Sequence, residues 1–136
     1  MSRRTITALL VAFLHAALAA LCWMWFDFST DVTSAELAYL VTGALLLGAL
    51  PTALLTSKRL LSPAVVVAVL FTLSAYSTWS TYVAPATPPA PVDPTPFGWY
   101  LLGWPAVGTA ALLVGGVEYG FRRYRQPTTA NGTREV

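Results

Sequence analysis

Residues 5–26 read TITALLVAFLHAALAALCWMWF. No Asp, Glu, Lys or Arg interrupts these 22 positions, and a helix needs about 20 apolar residues to cross the hydrocarbon core of a bilayer. Arg3 and Arg4 precede the run and Asp27 follows it, so charge of opposite sign marks its two ends. A soluble domain would have to bury such a segment on every side. A chain of 136 residues exposes too much of its surface to do so.

Working outward, three further apolar runs follow, residues 35–56, 61–83 and 97–119, interrupted only by Glu36 near the start of the first and Glu118 near the end of the last. The whole chain is 56% hydrophobic and 10% charged, against roughly 25% charged residues in an ordinary soluble domain. Helix is the conformation these runs dictate, because in lipid each segment must satisfy its own backbone hydrogen bonds. A β-barrel would need many alternating segments of about 10 residues, and these runs are continuously apolar. The expected fold is all-α, a polytopic four-helix transmembrane bundle forming one membrane domain over residues 1–125.

Helix-start chemistry falls at the same boundaries. Thr33-Ser34-Ala35-Glu36 fits a capping box with Thr33 as N-cap. Ser62-Pro63 and Thr95-Pro96 each set a capping hydroxyl before a proline at the first helical position. Pro51 and Pro105 lie inside the second and fourth runs and predict kinks there. Residues 84–96 read APATPPAPVDPTP, with six prolines in 13 positions, which predicts a stiff extended loop. The tail over 126–136 is polar and is expected to be disordered.

Charge gives an orientation. Placing both termini and the Lys58-Arg59 turn on one side gathers all eight basic residues there and leaves Asp27, Asp31, Glu36 and Asp93 opposite. The positive-inside rule then makes both termini cytoplasmic in a cell membrane, with loop 84–96 external. Arg122, Arg123 and Arg125 are expected to contact anionic headgroups, and no nucleic-acid partner is expected. Ser2-Arg3-Arg4 has the look of a twin-arginine signal. The run behind it is too long for one and lacks a small-residue cleavage site, so the first helix is expected to stay uncleaved.

Few residues can carry chemistry. Cys22 is the sole cysteine and His15 the sole histidine, so no disulfide, thiolate metal cage or cofactor is expected. Helical spacing puts His15 on the same face as Ala8, Ala12, Ala16 and Ala19, and small residues mark helix contact in membranes. Ser74, Ser77, Thr78 and Thr81 follow helical spacing in the outer half of the third run. Depth arithmetic puts His15 level with Ser74, which predicts a hydrogen bond from the imidazole to Ser74 or Ser77. In the fourth run Gly108, Ala111 and Gly115 form one small face, and Gly116 and Gly120 lie on another, suggesting two neighbours. Glu118 and Arg122 are spaced for a helical ion pair.

These features suit a non-enzymatic structural or accessory subunit, working by helix packing against a membrane protein partner or as a homo-oligomer. The alternative is a small transporter or channel with a polar cavity opening outward near His15 and the hydroxyl-bearing residues. A redox or enzymatic subunit lacks paired ligands or carboxylates.

Overall fold

The computed structural model describes residues 1–28, 32–85 and 95–125. The described chain is helical, and no strand occurs among these residues. In order the helices are α1 (Arg3–Trp25), α2 (Ser34–Lys58), α3 (Ser62–Thr78, widening into a π turn over Trp79–Val83), α4 (Pro96–Leu102) and α5 (Trp104–Tyr124). Three spans, α1, α2 and α3 with its π turn, are long and apolar enough to cross a membrane, and a fourth is added if α4 and α5 count together. The proline-rich segment over 86–94 and the tail over 126–136 lie outside the described residues.

Local chemistry sets the starts. Ser2 accepts from the Thr5 N–H at α1. Thr33 and Glu36 form the full reciprocal capping box at α2. Thr95 accepts from the Gly98 N–H at 3.0 Å at α4. The third start departs from expectation, because Ser62 is the first helical residue and not the N-cap. Glu118 reaches across from α5 to do the capping, accepting from the Ser62 N–H at 2.9 Å and the Ser62 hydroxyl at 2.7 Å.

Packing follows small residues. At Gly48 a side chain would collide with the Ala12 backbone at 2.7 Å, so α1 and α2 approach backbone to backbone there. Gly115 receives Pro63 of α3, and Gly43 lies under the Trp104 indole of α5. His15 pairs with Ala44 and Ala12 with Gly48, so α1 and α2 are antiparallel. Ser62 pairs with Glu118 and Pro63 with Gly115, so α3 and α5 are antiparallel too. One end of the bundle therefore collects the start of α1, the end of α2, the start of α3 and the end of α5, with every described Lys and Arg. Outward faces carry Leu10, Phe13, Leu14, Leu73, Leu113 and Val117, all more than half exposed. A surface of that kind is suited to lipid rather than water.

The fourth run is not the continuous helix over 97–119 that its hydropathy predicts. It breaks at Gly103 and bends by 75° between α4 and α5. Pro105 has no N–H and its ring would strike the Leu101 carbonyl of a straight helix, so a new helix starts at Trp104 with proline in its first turn. Tertiary contacts hold the bend. The Tyr39 hydroxyl donates to the Leu102 carbonyl at 2.8 Å, and the Phe97 N–H donates to the buried Thr78 hydroxyl at 2.8 Å. Pro51, by contrast, is accommodated inside α2, which runs on to Lys58.

Candidate functional site

The alanine face of α1 turns His15 toward the interior. The close approach at Gly48 then brings the Ala44 carbonyl, one turn earlier on α2, within reach of the ring. His15 Nδ1 lies 2.7 Å from that oxygen, and Nε2 lies 3.0 Å from the hydroxyl of Tyr100 on α4. A carbonyl can only accept, so Nδ1 carries the proton. In a neutral ring Nε2 is then the acceptor, and Tyr100 donates to it. One imidazole thus joins three helices with both of its nitrogens engaged.

The surroundings are aromatic. Phe71 of α3 packs against the imidazole with ring centroids 5.3 Å apart, and meets Tyr100 edge-on at 5.6 Å. Phe97 is fully buried, stacks on Tyr100 at 6.1 Å, and is flanked by Phe26 and Phe28. The bend at Gly103 matters here, because it tips α4 so that Phe97, Tyr100 and Leu101 all face the core. Within such an apolar shell a hydrogen bond is stronger than in water, and an unpaired polar atom is costly.

The expected bond from His15 to Ser74 or Ser77 is absent. Ser74 donates to the Phe71 carbonyl of its own helix at 2.9 Å, as serines in membrane helices commonly do. The Ser77 carbonyl accepts from the Ser80 hydroxyl, Thr78 holds the start of α4, and Thr81 lies in the π turn, partly buried. The bend in the fourth run brings Tyr100 of α4 to the imidazole ahead of either serine. Tyr100 was legible only as a phenol in an apolar run, a group that needs a hydrogen-bond partner when buried.

The small faces divide. Ala12, Ala19, Ala111 and Gly115 are buried, Ala8, Ala16 and Gly108 partly so. Gly116 and Gly120 have open space where a side chain would go. Glu118 pairs with Arg122 at 2.6 Å while capping α3, and Arg123 and Arg125 are exposed. Comparison with protein-family models, with curated proteins and with solved structures finds no match to this chain.

Proposed function

We propose that the chain is a non-enzymatic membrane subunit, a structural or accessory protein that acts by packing its helices against a membrane partner or a second copy. The observation that supports this is how the interior polar groups are used. Both nitrogens of His15, the Thr78 hydroxyl, and the Thr52 hydroxyl on the Gly48 carbonyl are spent within the bundle. The Trp104 indole N–H is the exception, buried with no acceptor among the described residues. A transport pathway needs polar groups that can be given to a substrate or ion in turn, and His15 could do so only by releasing α2 or α4. What the bundle offers outward is apolar side chains and the open Gly116–Gly120 face. In the orientation proposed, both termini face the cytoplasm and the basic end of the bundle rests on anionic headgroups.

The test is purification of the tagged chain from its own membranes in mild detergent, followed by mass measurement of the intact particle. The expected result is a stoichiometric complex with a membrane protein or with itself. A homogeneous monomer that also carries a proton-coupled flux in liposomes, lost in His15→Ala, would replace this reading with the transporter.

A further inference from the structure

At the end of the bundle away from the basic residues, two cavities adjoin between α1, α2 and α4. The one nearer the middle of the helices, about 320 Å³, runs along Ala16, Ala20, Val41 and Ala44. The outer one, about 410 Å³, is bordered by Phe28, Gly98, Asp27 and Glu36. Trp23, Val32, Leu40 and Leu101 line both, so the two form one cleft with an apolar trough and an acidic mouth. Ligand pockets commonly fall in the range of about 300–1,000 Å³.

We propose that this cleft binds a membrane amphiphile with a cationic, ammonium-type head and an apolar chain. The chain would lie in the trough against the alanines of α1. From Trp23 to Ala16 on α1, and from Leu37 to Ala44 on α2, the trough covers about 10 Å of helix. The head would sit between Asp27 and Glu36. Both carboxylates are exposed at the mouth, and Glu36 uses one oxygen on Thr33 and keeps acceptor capacity for a second partner. Among the described residues every Lys and Arg lies at the far end of the bundle, so none of them neutralises the pair. In a bilayer the trough gives little preference by itself, because lipid tails are as apolar as its walls. Selectivity therefore rests on the sign of the head, where two carboxylates near the low-dielectric boundary favour a cation by about tenfold or more.

The test uses the full chain in phosphatidylcholine nanodiscs with radiolabelled dodecyltrimethylammonium. Saturable binding at one site per chain above that of empty discs is expected. Unlabelled cation should displace it, and chain-matched dodecyl sulfate should not. Asp27→Asn with Glu36→Gln should weaken binding about tenfold. Asparagine tolerates the left-handed backbone at Asp27 (φ 51°), and glutamine keeps the capping box. Ala20→Leu should also weaken binding, by filling the trough from an exposed position of α1. Uptake no greater than in empty discs, equal displacement by the sulfate, or unchanged affinity in the neutralised mouth would overturn the proposal. The comparison of cation with sulfate on the unaltered chain decides it even where a variant misfolds.

Discussion

Replacing Tyr100 by phenylalanine removes one oxygen and leaves the stack on Phe97 and the edge contact with Phe71 in place. His15 cannot adapt by changing tautomer, since Nδ1 must keep its proton for the Ala44 carbonyl 2.7 Å away. Its Nε2 lone pair then faces an aromatic shell with no donor. A buried acceptor left unsatisfied costs about 1–3 kcal/mol, whereas interhelical hydrogen bonds in membranes average only about 0.6 kcal/mol with a maximum near 1.7. The loss expected for Tyr100→Phe is therefore about 1 kcal/mol. Reversible unfolding in mixed micelles with rising dodecyl sulfate measures it, and a double-mutant cycle with His15→Leu isolates the pair. Coupling of about 0.6–1.7 kcal/mol is expected between positions 15 and 100, and none between 15 and 74 or 15 and 77. Because His15 is the only histidine, nitrogen NMR gives an independent check: the neutral ring should carry its proton on Nδ1. Additivity with Tyr100→Phe together with coupling to Ser74→Ala would refute the assignment and restore the contact between α1 and α3 that depth alone suggests.

Other outcomes follow from the same geometry. Gly48→Ala should destabilise by about 1–3 kcal/mol, because the new methyl meets the backbone of Val11 and Ala12, while Gly116→Ala, with open space around it, should be neutral or stabilise by up to about 1 kcal/mol; the same micelle titration ranks them. Glu118→Gln should destabilise the bundle by weakening the capping of α3, and by more than Arg122→Gln, which should cost only about 0.2–0.5 kcal/mol since the Arg122 side chain is 52% exposed. In a Cys22→Ala background, an impermeant thiol reagent applied to intact cells should label a cysteine at Thr87 and not one at Thr129. Labelling at 129 without lysis would reverse the orientation.

The features legible in the sequence are those set by a few neighbouring residues. The apolar length of α1, α2 and α3 is a property of each segment alone, and so are the caps at Thr33 and Thr95, where donor and acceptor lie three residues apart. The alanine face of α1 was legible for the same reason, since a helix fixes which residues share a side. The tertiary structure decided what each face meets. A carbonyl such as that of Ala44 carries no mark in the sequence, and it became a ligand of His15 only because Gly48 lets two backbones touch. The fourth run shows the limit most plainly. Pro105 announced a disturbance, yet a proline kink is set locally and a 75° break is not. That angle requires Trp104 over Gly43, Tyr39 on the Leu102 carbonyl and Thr78 on the Phe97 N–H, contacts across 19 to 63 residues of chain. Ser62 teaches the same lesson, because its position before a proline marked a helix start, while the carboxylate that caps it comes from a helix 56 residues away. Periodicity places a side chain on a face, but only the packing of all the helices determines which partner reaches it first.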